Sequence, residues 1–189
     1  AIIDATHDLV CAYKPNSAFY EAEGLDGLRA LEATIAAVPD GIPVILDAKR
    51  GDIGNTAAAY AKAAFEIFGA DAVTVNPYMG GDTVDPFLAY ADKAAFILTR
   101  TSNPGGQDFE DLNVESTGGT HPLYERVTAH AVEWNTKSNV GLVVGATQPE
   151  EFARIRALAP DLPILVPGIG TQGGDLAASM KNGVDARGR

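Results

Sequence analysis

An α/β fold built on parallel strands is predicted by three features of the chain. Six short apolar runs recur along its length, each run is apolar almost without a break, and stretches of helical periodicity lie between them. Unbroken apolar strands, as opposed to alternating ones, belong to sheets covered on both faces. Strand and helix in alternation make repeated βα units.

Taken in order, the first predicted strand is Leu9–Tyr13, closed by Lys14-Pro15-Asn16. A helix follows, with Leu25, Leu28, Leu31, Ile35 and Val38 as its apolar stripe. Pro43–Ala48 is the second strand and runs into a charged segment. Tyr60, Ala64, Phe65 and Phe68 mark the next helix, stopped by Gly69. Strands Ala72–Val75, Ala94–Thr99, Val140–Val144 and Pro163–Val166 complete the six. The last two alternate with helices at Glu150–Leu158 and Asp175–Asn182, the latter closed by Gly183.

Residues 100–122 break this rhythm, being rich in Gly, Pro and polar side chains with no period. Loops of that length after a strand's C-terminal end are functional lids more often than filler, so a lid is expected.

A closed (β/α)8 barrel (TIM barrel) needs eight units. The chain opens on Ala1-Ile2-Ile3, which reads as the middle of an apolar helix, and stops at Arg187-Gly188-Arg189 just past another. One more unit at each end would complete the barrel. The expectation is a single barrel domain over residues 1–189 with its first and last βα units missing or incomplete. A doubly wound open sheet is the alternative.

Composition narrows the function. At 189 residues, 46% hydrophobic and 21% charged, the chain has ordinary globular usage and room for one substantial core. No apolar run approaches the roughly 20 residues that cross a bilayer, so no membrane partner is expected. A net charge of −11 argues against nucleic acid as a partner. The one cysteine, Cys11, sits in an apolar run and is expected to be buried and inert; it suits a cytoplasmic location. His7, His121 and His130 lack ligand spacing, so no metal site is expected.

Charge clusters where the second strand ends, in Asp47-Ala48-Lys49-Arg50-Gly51-Asp52-Ile53-Gly54-Asn55-Thr56. Residues two apart on a strand share a face, which aims Asp47 and Lys49 the same way. The C-terminal ends of barrel strands carry the chemistry of that fold. A structural ion pair with Asn55 or Thr56 capping the next helix is the plainer reading. Lys14, at the end of the preceding strand, can reach the same mouth.

Val166-Pro167-Gly168-Ile169-Gly170-Thr171-Gln172-Gly173-Gly174-Asp175 contains a G-x-G-x-x-G match. It falls in the last visible unit, with no acidic strand end about twenty residues on, so a phosphate cradle explains it better than a dinucleotide fingerprint. Thr101-Ser102-Asn103-Pro104-Gly105 opens the long segment, and turn chemistry alone accounts for it.

These segments resemble orotidine 5′-phosphate decarboxylase, in the bacterial branch carrying Asp-Ala-Lys-Arg-Gly-Asp-Ile-Gly-Asn-Thr. The match extends to Ala12-Tyr13-Lys14-Pro15-Asn16 and to Pro167–Gly174, in the same order along the whole chain. The resemblance implies decarboxylation of orotidine 5′-phosphate to uridine 5′-phosphate and CO2, with no cofactor. It implies Lys49 as proton donor to C6, Asp47 facing the departing carboxylate, and Lys14 holding the array and binding ribose. Asp52 and Thr56 would enter the site of a homodimer partner. Ser102 would contact the pyrimidine, while Gln172, with Gly173 beside it, would meet the phosphate. The family's first-strand aspartate and its phosphate-clamping arginine have no counterpart in the chain. A magnesium-dependent sugar-phosphate aldolase or decarboxylase with the same D-x-K-x-x-D core, or a non-catalytic phosphate-binding barrel fragment, are the alternatives.

Overall fold

Small and β-branched apolar residues predominate in the parallel strands, and helices alternate with these strands along the chain. The computed structural model describes residues 2–116, 119–146, 149–170 and 173–188. Two compact units, residues 1–95 and 96–189, divide the chain.

In the first unit three helices, α1 (Ile2–Thr6), α2 (Ser17–Glu21) and α3 (Gly24–Ala36), precede strand β1 (Ile45–Arg50). Helix α4 (Gly54–Lys62) runs on through a π-helical turn, Ala63–Ile67, to β2 (Ala72–Val75) and α5 (Gly81–Leu88). β1 and β2 pair in parallel, with Ile45 opposite Ala72 and Leu46 opposite Val73. Leu31, Val44, Leu46, Ala61, Phe65, Val73, Val75 and Phe87 make the core.

The second unit takes up β3 (Ala94–Arg100) and continues through a 3-10 turn (Pro104–Asp108) and the antiparallel pair β4 (Asn113–Ser116) and β5 (Gly119–Pro122). Then come α6 (Leu123–Trp134), β6 (Val140–Val144), α7 (Pro149–Leu158), β7 (Ile164–Leu165) and α8 (Leu176–Gly183). β6 and β7 are parallel, and Ile97, Leu142, Val144, Phe152 and Ile155 are buried. Asp175 caps α8, its Oδ1 accepting from the Ala178 amide at 3.0 Å. Among the described residues no helix is long and apolar enough to cross a membrane.

Four expectations are corrected. Leu9–Tyr13 is not a strand; the backbone makes only isolated parallel bridges, Tyr13 with Val44 just before β1 and Asn16 with Asp47 in it. Tyr13 N donates to Pro43 O, and Pro15 O accepts from Asp47 N. The next rung would need an N–H on residue 15, which proline lacks, so no continuous ladder forms. Cys11 is consequently exposed, not buried.

Leu25 is the second departure, exposed although Leu31 and Ile35 of the same predicted stripe are buried. At about 100° per residue it lies about 120° round the helix from Leu31. Third, residues 100–122 are not patternless. They fold into the 3-10 turn and the β4–β5 hairpin, whose polar and largely exposed strands leave no apolar signal to read. Fourth, neither Asn55 nor Thr56 caps α4. The cap position is Ile53, without a side-chain bond, and both residues lie inside the helix.

Candidate active site

The charged segment leaves β1 through an irregularity in the ladder. From Leu46 to Arg50 the strand advances four residues while its partner advances only from Val73 to Val75. Regular pairing would advance both equally, so β1 bulges at Asp47–Lys49. Lys49 takes up the excess with φ +47°, a left-handed conformation. For a residue other than glycine this costs about 1 kcal/mol or more, and such strain gathers at functional sites.

The bulge brings the charges together. Asp47, only 7% exposed, accepts from Lys49 Nζ on Oδ1 at 2.6 Å and from Lys14 Nζ on Oδ2 at 2.7 Å. Asn16 Nδ2 also donates to Oδ2, at 3.4 Å, and Thr74 Oγ1 to Oδ1, at 3.1 Å. Burial pushes the Asp47 pKa up, but the hydrogen bonds and charges of Lys14 and Lys49 outweigh it and hold the carboxyl below its ordinary range. Its two oxygens thus have four donors, as many as a carboxylate accepts.

The lysines differ from their anchor. The Lys49 side chain is 48% exposed and that of Lys14 34%. A buried anion thus holds the ammonium groups of two side chains that keep part of their surface in solvent. Arg50 is tied elsewhere, paired with Glu21 and lying 5.1 Å over the Tyr60 ring.

Asp47, Lys49 and Lys14 therefore meet as predicted, whereas Asp52 does not join them. Its Oδ1 accepts from the Ile53 amide at 2.8 Å. Thr56 lies exposed on α4. In the second unit Ser102 follows β3, and a side chain at Gly145 would strike it, with an added Cβ falling 2.6 Å from the Ser102 amide nitrogen. Gly173, at φ +76°, closes a tight turn through a bond from its amide to Gly170 O, and Gly174 N donates to Gly168 O. This segment leads into α8, with the amides of Gly173 and Gly174 engaged inside it. Gln172 lies outside the described residues.

Sequence reasoning missed Thr74 and Asn16, which complete the shell of Asp47. Thr74 sits in an apolar strand and looked like packing; no local signal marks it. Asn16 stands beside Lys14 in the matching segment Ala12–Asn16, but nothing in the sequence gives it a role.

The family model described as "Orotidine 5'-phosphate decarboxylase / HUMPS family" matches residues 1–189. The chain is 58% identical, over 93% of its length, to orotidine 5′-phosphate decarboxylase of Herpetosiphon aurantiacus, and equally to that of an Azoarcus species over its whole length. It spans 65% and 69% of those two proteins respectively. Among solved structures it is similar to Leishmania donovani OMP decarboxylase, with a TM-score of 0.92 and 51% identity over 98% of this chain and 71% of that one. An enzyme from Methanocaldococcus jannaschii, solved with the inhibitor BMP, matches with a TM-score of 0.73 and 25% identity over 95% of this chain and 76% of that one. The fold class is accordingly the parallel α/β barrel expected from the βα repeats.

Proposed function

The chain belongs to the orotidine 5′-phosphate decarboxylase / HUMPS family, and from that membership we propose that its activity is conversion of orotidine 5′-phosphate to uridine 5′-phosphate and CO2. This is the last step of de novo UMP synthesis, placed here in the cytosol. The observation that carries the reading is the array itself: a buried carboxylate saturated by donors, with Lys49 held on it and still open to a ligand.

Loss of CO2 leaves an electron pair on C6 of the pyrimidine that the ring does not delocalise. Catalysis then rests on charge placed where the negative charge develops. Two unit charges about 4 Å apart at an effective dielectric near 20 interact by roughly 4 kcal/mol. Lys49 next to C6 stabilises the carbanion on that scale and completes the reaction by transferring its proton to C6. Asp47 faces the carboxylate that leaves and repels it. Such ground-state destabilisation ranks second to the stabilisation by Lys49. Lys14 binds the ribose and keeps the array in register.

Ser102 contacts the base, and Gln172 with Gly173 meets the phosphate. Phosphate binding contributes energy that can be used at the reacting base. The enzyme works as a homodimer in which Asp52 and Thr56 enter the partner's site. The exposure of Thr56, that of Ile53 at 58%, and the position of Asp52 outside its own Lys49 pair support this.

The magnesium-dependent sugar-phosphate reading shares the D-x-K-x-x-D core, but relatives 58% identical are named as decarboxylases. Lys49→Ala in the intact protein is expected to lower turnover of orotidine 5′-phosphate by about 1,000-fold or more, leaving circular dichroism and dimer mass unchanged. Full wild-type turnover in EDTA is expected as well. Activity surviving the substitution would overturn the assignment, and loss of activity in EDTA would favour the metal-dependent alternative.

A further inference from the structure

We infer that Thr74 is a positioning residue: its single hydroxyl holds the bulged backbone of Lys49 and the carboxylate of Asp47 in the relation the reaction needs. This rests on the decarboxylase reading above and names a residue which that reading does not use.

Thr74 lies on β2, only 1% exposed, facing the bulge in β1. Its Oγ1 is 3.0 Å from the Ala48 amide nitrogen, 2.9 Å from that of Lys49 and 3.1 Å from Asp47 Oδ1. The directions of these bonds follow from chemistry. Backbone amides only donate, and an ionised carboxylate only accepts. A hydroxyl has one proton and two lone pairs, so the proton goes to Asp47 and both lone pairs go to the amides. The capacity of the group is fully used, and each bond falls on a part of the Asp47–Lys49 segment.

The consequence is geometric. The left-handed conformation of Lys49 needs an acceptor for its amide at that place, because a bulge disrupts the local ladder. Thr74 provides one from a side chain. The same oxygen orients Asp47 Oδ1, the atom to which Lys49 Nζ is bonded at 2.6 Å. The lysine is thereby fixed twice, at its backbone and at its ammonium group. Its half-exposed chain would otherwise be free to carry the charge away from the reacting carbon. Displacement of a reacting group by about 1 Å can lower a rate about 100-fold.

If Thr74 only fills space in a buried strand, valine of the same shape serves as well. Thr74→Val is therefore the test, with Thr74→Ser as the conservative rescue, both in the intact protein. The expected result for valine is a kcat about 100-fold lower with KM within about threefold, together with faster hydrogen exchange at the Ala48 and Lys49 amides. Serine, which keeps the three bonds, is expected to hold kcat within about threefold of wild type. Should the valine variant fail to fold, Thr74→Cys replaces it, a thiol being a weak acceptor, with the same split expected. A valine or cysteine variant with near-wild-type kcat, or a serine variant as impaired as valine, overturns the proposal. Lys49→Ala assayed alongside keeps the two ideas apart. If that variant remains active the decarboxylase chemistry is wrong, whereas an inactive Lys49→Ala beside an unimpaired Thr74→Val rejects the positioning role alone.

Discussion

At the scale of single residues the molecule turns on Asp47. Burial opposes its charge, and the hydrogen bonds and charges of Lys14 and Lys49 reverse the balance. A carboxyl whose pKa is lowered by folding contributes its full stability above about pH 4, where the unfolded group is ionised, and loses it as pH falls through the lower folded value. Wild type and Asp47→Asn should therefore differ in melting temperature by a constant amount from pH 7 down to about pH 5. That gap should close below about pH 4. A gap that does not narrow at all as pH falls below about 4 would mean that the two lysines do not hold the Asp47 charge.

The elements are positioned by a second buried charge at the end of β3. The Arg100 side chain is 5% exposed, and its guanidinium reaches Glu151 on α7 at 2.7 Å, Glu110 at 2.7 Å and Asp111 at 3.2 Å. Glu110 also accepts from the amide and the hydroxyl of Thr101, beside Ser102. The pKa of Arg100 is raised, since pairing with these carboxylates outweighs its burial. The cluster ties the segment after β3 to the first turn of α7. Removing one partner of a buried ion network costs about 3–5 kcal/mol. The acids here keep some contact with water, so Arg100→Met should lose about 3 kcal/mol in urea unfolding with an unchanged m-value. A loss below about 1 kcal/mol would show that the carboxylates relax into solvent and that the clamp is weak.

On the scale of the whole molecule the question is whether one chain completes a site. Asp52 lies outside the Lys49 ion pair of its own chain, and Thr56 faces outward. If both serve a partner, Lys49→Ala and Asp52→Asn proteins are each inactive, yet a mixed dimer carries both defects in one site and none in the other. Random mixing makes half the dimers heterodimeric with half their sites intact, so about a quarter of wild-type activity should return. No recovery after unfolding and refolding the two together would place Asp52 in its own chain's site.

Much of this was legible in the linear chain because it depends on local pattern. Unbroken apolar runs placed β2 and β6 to the residue and β3 to within one, since strands buried in a parallel sheet are apolar at nearly every position. Glycines likewise marked the segment before α8. The meeting of Asp47 and Lys49 was expected from strand alternation, yet it is produced by a bulge with a left-handed lysine, which alternation does not anticipate. The misplaced first strand, the exposed Cys11, the role of Thr74 and the Arg100 cluster have a common cause. Each depends on which groups of distant segments come within hydrogen-bonding reach, and that is settled by packing and ladder register across tens of residues, where propensity and spacing carry no information.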